Sequence, residues 1–341
     1  MIADTQQSPI AVLGAGSWGT ALALLLARNG RSVMLWGHDR AHVALLQRDR
    51  ENKARLPGLL FPPHISVHDD LAELTKFSRS FLVAVPSHAF RATLAALHTS
   101  IAAEVVLAWA TKGLEPGTGK LLSQVATEVL GVPRALGVIS GPTFARELAT
   151  NLPTAFTVAA DEENVAKQIA GWLRNDRVRV YTCRDVAGVQ LGGAIKNVLA
   201  IAAGISDGLG FGANARAALV TRGLAELTRL GVVMGGRQET FMGLAGAGDL
   251  ILTCTDNSSR NRQVGLALGK GKKLASILSE LGQEAEGVAT ARELYRLAKA
   301  KYVDMPITEQ VYRVLYEGLS PQAAVEALLK REPRKEENFF H

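Results

Sequence analysis

Gly14-Ala15-Gly16-Ser17-Trp18-Gly19 stands directly between an apolar run, PIAVL, and a helical run, Ser17–Asn29. By itself a glycine triplet of this spacing says little. Placed after a strand and at the opening of a helix, it fits the first turn of a dinucleotide-binding βαβ unit. Gly14 permits the tight turn, Gly16 lets a diphosphate approach the backbone, and Gly19 lets helix and strand pack closely. The helix start then offers N–H groups to an anion. The alternative is a tight strand-to-helix turn that holds no ligand.

The alternation opened by this turn continues to residue 186. PIAVLGAG, SVMLWG, RSFLVAVP, EVVLAWATKG, ALGVISGP and TAFTVAA read as strands, rich in Val, Ile and Leu and mostly closed by Gly or Pro. Stretches of helical character separate several of them, the first stopped by Gly30. Fully apolar strands alternating with helices imply a parallel sheet covered on both faces. The expectation is an α/β domain over 1–186, a Rossmann-type doubly wound parallel sheet, followed by an all-helical domain over 187–330. In the latter, helical periodicity is plainest at Asn261–Leu268, Gly287–Ala300 and Pro306–Glu317. The charge-rich tail, 331–341, is expected to fray.

Composition excludes several classes. Lys plus Arg exceeds Asp plus Glu by 38 − 32 = 6, yet no run of five basic residues occurs and aromatics are 6%. That balance suits an enzyme for anionic metabolites and gives no reason to expect nucleic acid. Cys183 and Cys254 have no metal-ligand spacing, so no metal is expected. The opening, MIADTQQSP, carries an acid and two glutamines where a signal peptide needs a basic and then an apolar stretch, so a cytoplasmic location is expected. Val186–Ser206 is long enough to span a bilayer. It holds Gln190, Lys196, Asn197 and four glycines, and reads instead as a helix buried in protein.

Candidate ligand residues lie where strands end, because open α/β sheets bind ligands beyond the carboxyl ends of their strands. His38-Asp39-Arg40 follows the second strand. An acid there reads the ribose of NAD(H), and a base accommodates the 2′-phosphate of NADP(H). Asp39 can alternatively cap the next helix. The basic pair favours NADP(H) and leaves NAD(H) open. Lys112 stands where EVVLAWA stops and is a ligand or a solvated loop lysine. Gly141-Pro142-Thr143 follows GVIS, with Pro142 placed to begin a helix whose N-terminus is a second anion site.

Lys196 is the only charge across 21 residues of an apolar helix. An ammonium is costly to desolvate, and desolvation lowers its pKa toward neutrality, which suits proton exchange. Gly192, Gly193, Ala200 and Ala203 share its face and would leave room for a ligand. The alternative is a lysine snorkelling to the surface or paired with an acid such as Asp207. Downstream, a glycine-rich turn ends in Asp249, and Ser258-Ser259-Arg260-Asn261-Arg262 opens a helix. This second cluster is a phosphate or carboxylate pocket, or an ordinary cap on a polar loop. Gly113…Gly119-Lys120 has one residue too many for a P-loop, and His64 with His68 lacks a third ligand. Of seven histidines the only one past residue 98 is His341, which leaves Lys196 as the proton carrier of the helical domain.

GAGSWGTALA, LWGHD, VPSH, WATKGLE, VISGPTFARE, VQLGGAIKNVLAIAAGISDGLGFGANARAAL, GLAGAGDLILTCTDNSSRNR and MPIT together resemble bacterial NAD(P)-dependent glycerol-3-phosphate dehydrogenase, from Ile10 to Leu329. The resemblance implies reversible reduction of dihydroxyacetone phosphate to sn-glycerol 3-phosphate, the backbone precursor of phospholipids. It implies Lys196 as general acid in reduction and base in oxidation. It implies Lys112, Gly141, Thr143, Lys196, Asp249, Ser259, Arg260 and Asn261 at the substrate. At the cofactor it adds Ser17, Trp18, His38, Lys112, Ala145, Arg260, Glu284 and Glu286 to the glycines Gly14, Gly16 and Gly19. Trp18 stands where the family commonly has another aromatic such as Tyr, and Glu284 where it tends to have an aliphatic residue. The expected assembly, where there is one, is a dimer through the helical domain. Two other readings remain open on sequence: a related two-domain β-hydroxyacid dehydrogenase with a carboxylate substrate, and a non-catalytic dinucleotide sensor that would not need Lys196 buried.

Overall fold

Ile-Ala-Val-Leu at Ile10–Leu13 (β1) is buried along its whole length, as a strand covered by helices on both faces must be. It lies inside an eight-stranded sheet in the computed structural model, which describes residues 8–131, 135–282 and 285–332. The other strands are β2 (Val33–Trp36), β3 (Ile65–His68), β4 (Ser80–Val83), β5 (Val106–Trp109), β6 (Ala135–Ser140), β7 (Thr154–Ala159) and β8 (Val178–Cys183). Their order is β3-β2-β1-β4-β5-β6-β7-β8. Leu13 sits beside Trp36 on one side and Val83 on the other. The first six strands are parallel in the Rossmann order.

The sheet departs from the expected one in two ways. TAFTVAA, read as one more parallel strand, pairs antiparallel with β6, placing Val138 beside Ala159. Apolar runs carry no mark of strand direction, so pattern alone could not show this. Two strands escaped the search for continuous apolar runs. ISVH and VRVYTC alternate buried with more exposed residues, because they form the two edges of the sheet.

The strand order reverses between the neighbours β1 and β4, and the glycine turn stands at that point. Gly14 has φ +122°, and a Cβ on it would lie 2.8 Å from the Ala84 carbonyl oxygen just past β4. The helix that follows, Ser17–Arg28, buries Leu22, Leu25 and Leu26 and ends at Asn29, with Gly30 at φ +76°. Pro142 does not begin a helix. The Gly141 turn, φ +143°, carries the chain out of β6, and the helix starts only at Ala145 and lasts five residues.

Two compact units make up the chain: the described residues to Thr111 with Leu122–Val186, and Lys112–Leu121 with the described residues from Ala187 on. The segment Lys112–Leu121, expected inside the 1–186 domain, therefore belongs with the helical unit. Leu114 and Leu121 pack in that unit's core, and Lys112 comes with them.

The helical unit is built around Val186–Gly208, whose residues Gly188 to Ser206 are all buried. It is the one helix among the described residues long and apolar enough to cross a membrane, and its burial within the unit accounts for its composition. Small residues bring backbones together. Cβ atoms added at Gly204 and Gly265 would lie 2.1 Å from the Arg262 and 2.0 Å from the Ile201 carbonyl oxygens respectively. Gly208 and Gly269 repeat this contact one turn on. The helix Arg260–Gly269 is thus pressed against Val186–Gly208. A Cβ on Gly192 would meet the Ala245 carbonyl oxygen at 2.3 Å. The small face beside Lys196, expected to leave room for a ligand, is occupied there by backbone.

Candidate active site

Lys196 is 6% exposed on the central helix and donates to Asp249 Oδ1 at 2.7 Å and to Thr253 Oγ1 at 2.7 Å. The second oxygen of Asp249 accepts from Lys112 Nζ at 2.5 Å. Local structure places each partner. Leu244–Gly248 is a single π-helical turn, made of Leu-Ala-Gly-Ala-Gly, that leads into the helix Asp249–Thr255. Such turns recur at functional sites because they re-aim the residues that follow. Asp249 and Thr253 are four apart on that helix and share a face. The Thr253 hydroxyl donates back to the Asp249 carbonyl at 2.6 Å, so its lone pairs face Lys196. The acid Asp207, an alternative partner for Lys196, instead pairs with Arg216 at 3.0 Å and with Arg262.

Burial in this core pulls the Lys196 ammonium down to about 8, the nearby Lys112 charge adding to the effect and the Asp249 carboxylate opposing it. Asp249 is fully buried, which alone would push its carboxyl up, but the two ammonium groups outweigh burial and hold it below the usual range. The carboxylate stays ionised and binds two cations, while one of those cations is poised to lose its proton near neutral pH. An ammonium has three donors. Two of the Lys196 N–H groups are engaged, and the third has no partner among the described residues.

A second network lies one residue along. Asn261 Nδ2 donates to Asn197 Oδ1 at 2.9 Å, and Gly287 N–H donates to Asn261 Oδ1 at 2.9 Å. Asn261 thus ties the helices Arg260–Gly269 and Glu286–Ala300 to Val186–Gly208. Ser259 caps the first of these, its hydroxyl accepting from Arg262 N–H. Of the two arginines, Arg262 is buried and bound to Asp207, Asn257 and the Cys254 carbonyl, whereas Arg260 is half-buried.

The other unit carries the remaining candidates. Gly19 lies so close to Gly14 that a Cβ would meet the Gly14 carbonyl oxygen at 1.8 Å, while Gly16 has open space where its Cβ would be. Gly16 caps the helix Ser17–Arg28 without a side-chain hydrogen bond, and no acid stands in the first turn. The positive end of that helix is therefore open to an anion, and the turn fits the diphosphate of a dinucleotide. The Trp18 indole donates to the Ala110 carbonyl at 3.1 Å just past β5. Asp39 caps the helix Arg40–Asp49, one oxygen accepting from Ala41 and His42 N–H. His38 and Arg40 are exposed beside it. Gly141 is held to glycine, a Cβ lying 2.8 Å from the Ala155 carbonyl oxygen. Thr143 donates to the Gly141 carbonyl at 3.3 Å, and Ala145 begins the short helix.

Residues 9–166 match the model of the NAD-dependent glycerol-3-phosphate dehydrogenase N-terminus, and residues 185–326 that of its C-terminus. The chain belongs to the NAD-dependent glycerol-3-phosphate dehydrogenase family. It is 58% identical over 328 residues, 96% of this chain and 98% of the other, to a Methylococcus capsulatus protein named glycerol-3-phosphate dehydrogenase (NAD(P)+). Among solved structures it is similar to the glycerol-3-phosphate dehydrogenase of Coxiella burnetii, with 47% identity, TM-score 0.93, and coverage of 95% of this chain and 99% of that one. Yeast GPD1 is 28% identical with TM-score 0.81, covering 95% and 100%. The family is one of NAD(P)-dependent oxidoreductases.

Within this glycerol-3-phosphate dehydrogenase fold, the helical unit brings Lys112, Lys196 and Asp249 into one network, and Asn261 into the adjoining one. Ser259 and the half-buried Arg260 open the helix that carries Asn261, and Glu286 opens the helix next to it. Glu284 lies outside the described residues. Sequence reasoning missed Thr253 and Asn197. The four-residue spacing from Asp249 could have found Thr253, and the position beside Lys196 could have found Asn197.

Proposed function

We propose that this chain catalyses the reversible reduction of dihydroxyacetone phosphate to sn-glycerol 3-phosphate with NADPH, or more slowly NADH. The observation that carries the reading is Lys196, buried, shifted toward neutrality, and with a single N–H uncommitted. A bound nicotinamide supplies a hydride to the ketone carbon. Lys196 gives its third proton to the carbonyl oxygen as negative charge develops there, and takes it back in the oxidative direction. Asp249 and Thr253 hold the ammonium so that this proton is the one left to give. Lys112, on the other Asp249 oxygen, adds positive charge for the developing alkoxide. Asn197 and Asn261 offer amide donors for the substrate, and Arg260 with the helix start at Ser259 serves the phosphate. Gly141 and Thr143 complete the substrate contacts. Gly14, Gly16, Ser17, Trp18, Gly19, His38, Ala145 and Glu286 serve the cofactor, with Lys112 and Arg260 reaching both ligands.

Oxidation of NADPH at 340 nm on adding dihydroxyacetone phosphate tests the assignment. Turnover is expected with this ketone, and turnover only with a β-ketoacid would replace it by the carboxylate reading.

NADPH preference is supported by Asp39, one oxygen of which is committed to capping the helix Arg40–Asp49, and by the exposed His38 and Arg40. Replacing both with Ala should lower kcat/KM for NADPH by about 10–100-fold, as charge-assisted bonds to phosphate are lost, and leave NADH nearly unchanged. The double variant would refute the preference if both cofactors fell equally. The reading further places the reaction in the cytoplasm, supplying phospholipid synthesis, by a homodimer joined through the helical unit. Exposed Phe211, Val232 and Val233 support that assembly, and sedimentation tests it.

A further inference from the structure

The carbonyl of Ala15, inside the glycine turn, accepts from Asn52 Nδ2 at 3.0 Å and lies 3.3 Å from His42 Nε2. A carbonyl only accepts, so His42 carries a proton on that nitrogen. Asn52 is completely buried, and its Nδ2 also donates to Thr20 Oγ1 at 2.8 Å, just past Gly19. Its Oδ1 accepts from Arg55 N–H at 3.2 Å, which settles which end of the amide faces the turn.

In a planar trans peptide the carbonyl and the following N–H point in opposite directions. Tying the Ala15 carbonyl toward Asn52 and His42 therefore turns the Gly16 N–H the other way, on the side where Gly16 is exposed and has open space. The clamp grips the turn twice, at Ala15 before Gly16 and at Thr20 after Gly19. His42 stands on the helix capped by Asp39, so the residues that read the adenosine end are joined to those that aim the diphosphate end.

We infer that Asn52 and His42 are cofactor-positioning residues, which hold the Ala15–Gly16 peptide so that its N–H meets the diphosphate of the dinucleotide. This rests on the dinucleotide assignment made above. Neither residue touches the ligand; they act through the backbone between them. An oriented amide donates to the diphosphate without first losing the entropy of a mobile loop.

The test uses the full chain with Asn52→Asp, which keeps the shape but puts an acceptor against the Ala15 carbonyl, and His42→Ala at a half-buried site. NADPH binding is titrated by fluorescence, with adenosine 2′-monophosphate, which lacks the diphosphate, as the second probe. Asn52→Asp should weaken NADPH by about tenfold or more, the scale of one hydrogen bond to a charged group. His42→Ala should weaken it by a few-fold. Adenosine 2′-monophosphate should bind all three proteins alike, and kcat at saturating NADPH should stay within about twofold. Unchanged NADPH affinity in a variant that melts like the parent overturns the inference, as does equal loss of both probes. If Asn52→Asp does not fold, His42→Ala alone decides. A parent protein that binds no NADPH would overturn the underlying assignment instead.

Discussion

Lys196 and Asp249 meet at 2.7 Å although they lie 53 positions apart in the chain. The acid does two opposed things. It keeps the buried ammonium charged enough to act as a proton donor, and it occupies one N–H so that fewer remain for other partners. Burial outweighs the attraction, and the lysine settles at about 8.

Lys196→Ala removes the proton carrier and leaves Asp249 facing Lys112 alone. Turnover should fall by about 10²–10⁴-fold, the span for a general acid–base group, with KM for NADPH little changed. Stopped-flow measurement of NADPH oxidation reads this, and parent-like turnover would move the proton to another group.

The pH profile follows from the same pair. Reduction needs the protonated lysine, so kcat/KM for dihydroxyacetone phosphate should fall as pH rises through about 8. Oxidation needs the neutral amine and should rise through that point. Asp249→Asn removes the charge that raises the lysine pKa, so both breaks should move to lower pH by about one pH unit. Breaks that stay put in Asp249→Asn would separate the profile from this lysine.

Glu226 gives a stability signature away from the chemistry. It is 2% exposed and accepts from the Ile307 and Thr308 N–H groups at the start of the helix Pro306–Tyr316. Burial pushes its carboxyl up to about 7, against the lowering effect of those hydrogen bonds. Between the unfolded value, 4.5, and 7 the folded chain holds more protons than the unfolded chain. This contribution to stability is therefore largest below the unfolded pKa and is lost as pH rises toward 7. Urea unfolding at pH 5 and pH 7 should show the parent losing stability over that interval relative to Glu226→Gln, whose side chain stays neutral, and a gap between the two proteins that does not change with pH would rule this out.

Gly265→Ala tests the helix crossing that brings Asn261 to Asn197. Its Cβ would meet the Ile201 carbonyl oxygen at 2.0 Å and Ile205 N at 2.8 Å. Both are backbone, so no side chain can rotate aside. A loss of about 1–3 kcal/mol in urea unfolding is expected, together with a higher KM for dihydroxyacetone phosphate. An unaltered midpoint would mean that the helices part at little cost.

Local pattern alone determined the strand–glycine-turn–helix at Ile10–Arg28, the change to helices after Asp185, and the burial of Lys196, because periodicity and glycine steric freedom act over a few residues. It also marked Asp249 at the end of a glycine-rich turn, and Ser259 and Asn261 in a polar stretch that opens a helix. Tertiary structure decided what those residues meet. Asp39 had two uses open to it, and the fold shows its carboxylate capping a helix. Lys196 had Asp207 within reach along the chain, but Arg216 and Arg262 hold that acid, and Asp249 arrives from a distant turn. The direction of β7 and the attachment of Lys112–Leu121 to the helical unit were equally hidden. An apolar run looks the same in either direction, and which distant backbones meet is set by packing the whole core at once.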